Sequence, residues 1–84
     1  MFYVYVIVSG QDETYIGFSS DLKQRLTAHN QGLNESTRGR VWRLAYYEAY
    51  ADEEEARQRE KKLKQDGRSR RFLMERTRRS RSGA

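Results

Sequence analysis

The rhythm of apolar and polar positions changes several times along this 84-residue chain, and each change marks an element. FYVYVIVS, from Phe2, is aromatic and β-branched without alternation. It is apolar on both faces, as a central strand covered on both sides would be. GQDE carries turn signals, and TYIGFS follows, so residues 2–8 and 14–18 read as an antiparallel hairpin. DLKQRLTAHNQG switches to helical spacing, with Leu22 and Leu26 four apart. Ser19 or Ser20 can cap this helix, Asp21 suits the positive end of its dipole, and Gly32 can stop it.

Residues 32–40, GLNESTRGR, are polar and glycine-punctuated, hence a loop. VWRLAYYEAY is a third strand, expected to show Trp42, Leu44 and Tyr46 on one side and Ala45, Tyr47 and Ala49 on the other. A second helix begins at Asp52 as N-cap, with Glu53, Glu54 and Glu55 in its first turn, lysines in its last, and Gly67 at its end. Ser69 can cap a short final helix that buries Phe72 and Leu73. The order ββαβαα predicts an α+β domain: a three-stranded antiparallel sheet flanked by about three helices. The domain is expected to span residues 1–77, with 78–84 a disordered basic tail that has nothing to bury.

Two helices break their own pattern. Arg25 and His29 fall on the face that carries Leu22 and Leu26. In the second helix, Glu60 lies between Ala56 and Leu63 on one stripe, far from the N-terminal turn whose dipole accounts for the other glutamates. Burying an unpartnered charge costs several kcal/mol, too much for a domain this small. Either the charges pair, as an Arg25–Glu60 bridge or a Glu60–Lys64 i,i+4 pair, or they line a cleft that meets a ligand. Tyr5 and Tyr15 lie on neighbouring strands of the hairpin, where cross-strand side chains approach. Two phenols, an arginine, an imidazole and a carboxylate make a set able to cleave a phosphodiester.

Charge narrows the partner. Residues 1–56 carry five Lys/Arg against nine Asp/Glu, a net of −4, whereas residues 57–84 carry twelve against three, a net of +9. A concentrated basic half is the footprint of a phosphate-backbone binder. The longest apolar run, Phe2 to Val8, is seven residues, too short to span a bilayer, and nothing around it resembles a signal peptide. The absence of cysteine suits a reducing compartment. The expected location is the cytoplasm, in association with the nucleoid and with no membrane contact.

Taken together, VYV, the spacing from Tyr5 to Tyr15, YIG, DLKQRLTAHNQG and REKKLK resemble the GIY-YIG nuclease domain over residues 2 to about 76. The similarity is to its small stand-alone bacterial branch, related to the structure-specific Slx-type nucleases. The resemblance implies a metal-dependent DNA endonuclease. Tyr5 and Tyr15 would divide the work of activating water and orienting phosphate, with Tyr5 the favoured base. Arg25 would stabilise the scissile phosphate, His29 would assist proton transfer, and Glu60 would be the sole protein ligand of Mg²⁺ or Mn²⁺.

The first motif here reads Tyr3-Val4-Tyr5, so the glycine and isoleucine are replaced while the tyrosine stands. Some members carry a second histidine after the first helix; here Thr37 or Arg38 takes its place, or the role is absent. Larger relatives attach a DNA-reading domain that this chain lacks, so binding is expected through phosphate contacts and shape, with room for a partner protein to supply specificity. The substrate expected is single-stranded or branched DNA. Gly17 is expected to admit a close approach by phosphate or by the first helix, or to relieve a bulge. Thr37, Arg38, Arg40, Arg43, Lys61 and Lys62 are candidates, with Gly17, for the nucleic-acid surface. Two other classes compete: a non-catalytic nucleic-acid-binding module on the same fold, and a protein-interaction domain whose basic end meets an acidic partner.

Overall fold

A computed structural model describes residues 1–83. In chain order the elements are β1 (Phe2–Ser9), β2 (Thr14–Ser19), α1 (Leu22–Asn30), β3 (Trp42–Tyr50), α2 (Glu53–Gln65), α3 (Gly67–Arg76) and α4 (Arg78–Ser82). The strands form one antiparallel sheet in the order β2-β1-β3, the α+β architecture expected. β1 is central, which explains its unbroken apolar run. Val4 and Val6 pack with Ile16 against Ala56, Leu63 and Leu73 of α2 and α3. Tyr5 and Ile7 face the other way, with Trp42, Leu22 and Leu26.

One expectation about β3 is corrected. Val6 pairs with Tyr46 but Ile7 with Leu44, so Ala45 is the extra residue of a bulge. A bulge reverses the inside–outside alternation beyond it. Trp42 and Leu44 therefore pack on the α1 side, while Tyr46 and Tyr50 pack on the α2–α3 side.

The caps also differ in detail. Asp21 itself caps α1, its Oδ1 accepting from Gln24 N at 3.0 Å, while Ser19 braces Asp21. Gly32 adopts φ +76 just past α1, the left-handed conformation that ends a helix. Asp52 caps α2 as expected. Asp66, rather than Gly67, closes α2, and the same residue opens α3 in place of Ser69 by accepting from Arg68 N at 3.1 Å and from Ser69 Oγ at 2.9 Å. Phe72, expected in the core, is 56 % exposed, and Leu73 alone of the pair is buried.

The stretch expected to be a structureless tail is helical over Arg78–Ser82, and Ala84 lies outside the described residues. No α4 residue is buried, so polar contacts hold it instead. Arg43 of β3 donates to the carbonyls of Ser80 and Arg81, and Arg81 donates to Met74 O at 2.7 Å.

On the α2–α3 side of the sheet, Glu48 gathers four hydrogen bonds. Arg59 donates to it twice, at 2.9 and 3.0 Å, and Tyr46 and Tyr50 donate at 2.8 and 2.7 Å. Burial pushes the Glu48 carboxyl up, but Arg59, Tyr50 and Tyr46 together outweigh it and hold the group below the ordinary carboxylate range. Burial and the neighbouring carboxylate push Tyr50 up to about 12. A carboxyl that is more acidic folded than unfolded stabilises at pH above its ordinary value and loses that contribution as pH falls through its folded value. Urea midpoints should therefore decline below about pH 4.5, and Glu48→Gln should show a shallower decline. An unchanged slope in the variant would remove Glu48 from the acid response.

Candidate active site

β1 and β2 pair in uninterrupted register, Tyr5 opposite Gly17 and Ile7 opposite Tyr15, so both tyrosines stand on the face that α1 covers. Gly17 explains itself here. A Cβ at this position would sit 2.9 Å from Tyr5 Cε2 and closer still to Cζ and Oη. The missing side chain thus makes room for the Tyr5 ring to lie across β2. The Tyr5 ring, rather than α1 or a bulge, accounts for that glycine, which is buried.

The phenol of Tyr5 ends between two residues of α1. Arg25 Nε donates to Tyr5 Oη at 3.4 Å, and His29 Nε2 lies 2.8 Å from the same oxygen. The other imidazole nitrogen, Nδ1, lies 2.7 Å from Thr37 Oγ1, whose hydroxyl donates to Asn34 O at 3.4 Å. One assignment of protons satisfies every contact of this chain, the 3.4 Å one included. Thr37 gives its proton to the carbonyl, so it accepts from His29 Nδ1–H. That leaves Nε2 with a lone pair, which receives the Tyr5 hydroxyl. The anomaly on the leucine face of α1 is resolved: the imidazole is fully buried yet paired at both nitrogens.

The electrostatics agree with that assignment. Burial, helped by the Arg25 charge, holds the His29 imidazole below its ordinary range, so it is neutral near pH 7. Burial pushes the Tyr5 phenol up, against the opposing pull of Arg25. The Tyr5 contact, reinforced by Tyr15, pushes the Arg25 guanidinium up, so its charge is permanent. A neutral acceptor, a neutral phenol and a fixed cation therefore meet at one oxygen.

Tyr15 joins the group edge-on to His29, ring centroids 5.0 Å apart. Lys64 Nζ lies 5.2 Å from the Tyr15 ring centroid and 3.2 Å from Glu60 Oε2. Through that lysine the glutamate of α2 stands beside the phenols, and its charge acts on Tyr5. Among the described residues Glu60 pairs with Lys64 and forms no bridge to Arg25. Its side chain is 23 % exposed. A part-exposed carboxylate that already attracts a cation fits a hard divalent ion that takes its remaining ligands from water and phosphate. No group of three or more His, Asp or Glu that could hold a metal is gathered among the described residues.

The candidates for the nucleic-acid surface divide. Arg38, Lys61 and Lys62 are exposed. Thr37 is fully buried beneath His29. Arg40 is paired with Glu13, and Arg43 is held by the α4 carbonyls, so both carry structural contacts. Sequence reasoning missed what places Thr37. Asn30 at the end of α1 exchanges two hydrogen bonds with the Trp42 backbone, and Trp42 Nε1 donates to Thr37 O at 2.8 Å. Helix, strand and loop are thereby locked around the histidine.

This sheet, with its paired tyrosines, helix arginine and histidine and second-helix glutamate, has the make-up of a nuclease-type catalytic domain. Residues 1–73 match the GIY-YIG catalytic domain, and the chain belongs to that family. It is similar to bacterial UPF0213 proteins. That of Clostridium perfringens is 36 % identical over 66 residues, covering 76 % of this chain and 71 % of the relative. Those of Streptococcus pneumoniae and Bacillus pumilus are each 38 % identical over 64 residues, covering 74 % of this chain and 65 % of the relative. No solved structure matches the chain.

Proposed function

We propose that this protein is a divalent-metal-dependent endonuclease that hydrolyses phosphodiester bonds in single-stranded or branched DNA, with residues 1–77 as the catalytic unit. The observation that carries the reading is the chain Arg25–Tyr5–His29–Thr37, in which a phenol is poised to pass its proton to a neutral imidazole. A substrate phosphate draws the Arg25 guanidinium toward itself, and the contact to Tyr5, at 3.4 Å the longer of the two at Oη, gives way. Water then reaches Oη. Its proton moves to the phenol oxygen as the phenol proton moves to His29 Nε2, and the water oxygen attacks phosphorus while the P–O bond to the leaving group breaks, the leaving oxygen keeping the bonding pair and taking a proton from solvent water. Arg25 stabilises the charge that develops on the phosphoryl oxygens, and Tyr15 orients the phosphate. Mg²⁺ or Mn²⁺ held by Glu60 would supply Lewis-acid stabilisation of that same charge.

Arg38, Lys61 and Lys62 supply backbone attraction, and a partner protein supplies any sequence preference. The site of action is the nucleoid in the cytoplasm. No helix among the described residues is long and apolar enough to cross a membrane.

Labelled single-stranded, duplex, flap and junction DNAs, each with and without divalent ion, test this directly. Cleavage of the single-stranded or branched forms only when Mg²⁺ or Mn²⁺ is present is the expected result. Glu60→Ala should abolish it while shifting stability by no more than about 0.5 kcal/mol, as surface changes do. Salt-dependent binding without turnover under any divalent ion would instead establish the non-catalytic binding module, which the altered Tyr3-Val4-Tyr5 motif allows but the five occupied catalytic-type positions oppose.

A further inference from the structure

A groove of about 570 Å³ opens on the side of Tyr15 that faces α3, and its walls differ in character. Ile16 and Met74 contribute apolar surface, Tyr15 forms the end nearest the candidate active site, and Lys64, Arg70 and Arg71 supply three cations. No carboxylate lines it. Among the described residues Arg70 and Arg71 form no ion pair with any Asp or Glu. Arg70 is nevertheless fixed, since its Nη1 donates to the last carbonyls of α2, Leu63 O at 3.3 Å and Lys64 O at 3.1 Å. Guanidiniums without carboxylate partners, held beside apolar surface, fit a ligand that presents an anion and an apolar face together.

We infer that this groove binds an unpaired nucleotide next to the scissile phosphate, its base against Met74 and Tyr15 and its backbone phosphate against Arg70 and Arg71. A nucleotide in a duplex has both base faces stacked on its neighbours, so only its phosphates could reach the rim. An unpaired base is free to lay its face on apolar or aromatic side chains, and a cationic groove beside such surface is how single strands are held without sequence preference. The groove thus accounts for the proposed preference for single-stranded or branched DNA. The inference rests on the nuclease reading for its position beside the scissile bond, but binding itself requires no chemistry.

Fluorescence anisotropy in the presence of a chelator, with a labelled short oligothymidylate and a labelled duplex of equal length, separates the two. The full chain should bind the single strand more tightly. Arg71→Glu, at an exposed position, should weaken single-strand binding by about tenfold, and Met74→Glu by a similar factor. Duplex binding should fall by clearly less than single-strand binding in both, since a duplex offers the rim only its phosphates. Unchanged single-strand affinity in a folded Arg71→Glu protein, equal losses for both DNAs, or a wild-type preference for duplex would each overturn the inference. Selective single-strand binding that needs Arg71, in a protein that cleaves none of the DNA panel, would uphold the groove and remove the nuclease. Cleavage with unaltered binding in the variants would do the reverse.

Discussion

Tyr5→Phe is expected to slow cleavage by about 10²- to 10⁴-fold, the usual contribution of a positioned proton-transfer group. The variant keeps the ring that fills the space over Gly17 and loses only the oxygen shared by Arg25 and His29. Fold stability should fall by about 1–3 kcal/mol, because His29 Nε2 is then buried without a partner. Single-turnover rates on a single-stranded or flap substrate, with circular dichroism to verify folding, separate the two effects. Tyr15→Phe, at a less buried phenol without a hydrogen bond to the imidazole, should cost less. Rates should also hold steady through neutral pH and fall only below the ordinary histidine range, because burial and Arg25 keep His29 neutral there. A Tyr5→Phe enzyme within about tenfold of wild type would take Tyr5 out of the proton path.

Gly17→Ala is expected to be strongly destabilising. The new Cβ meets Tyr5 Cζ and Oη well inside contact distance, and the ring is held on its far side by His29. Forcing a packed side chain off its rotamer costs about 1–3 kcal/mol or more, and a domain of this size loses roughly 4–8 °C of melting temperature per kcal/mol. Cleavage should fall with stability, since the displaced ring carries the Tyr5 oxygen away from His29. Gly10→Ala is the control: nothing lies within 4 Å of a Cβ there, so its melting point should hold or rise. Equal melting points for the two variants would show that the Tyr5 ring yields freely.

How much of this was legible beforehand follows the range of each force. The sheet order came from β1, because an apolar run without alternation is stable only where both faces are covered. Arg25, His29 and Glu60 were conspicuous because charged groups interrupted apolar stripes at helical spacing, and all three stand at the candidate site. The faces of β3 were misread because a bulge at Ala45 leaves no mark in local composition. Thr37 was read as a surface contact, since a threonine in a polar loop gives no sign of what lies above it; Trp42 and Asn30, distant in sequence, decide that it lies under His29.

The sequence by itself therefore determined the three strands, the first three helices, the two-sided core and the family, because these depend on periodicity and on residues a few positions apart. Only the tertiary structure decided that Gly17 yields its space to Tyr5, that Thr37 lies under His29 Nδ1, and that two guanidiniums flank an apolar groove beside Tyr15. Each of those depends on atoms brought within a few ångströms by chain folding, at sequence separations where no spacing rule applies.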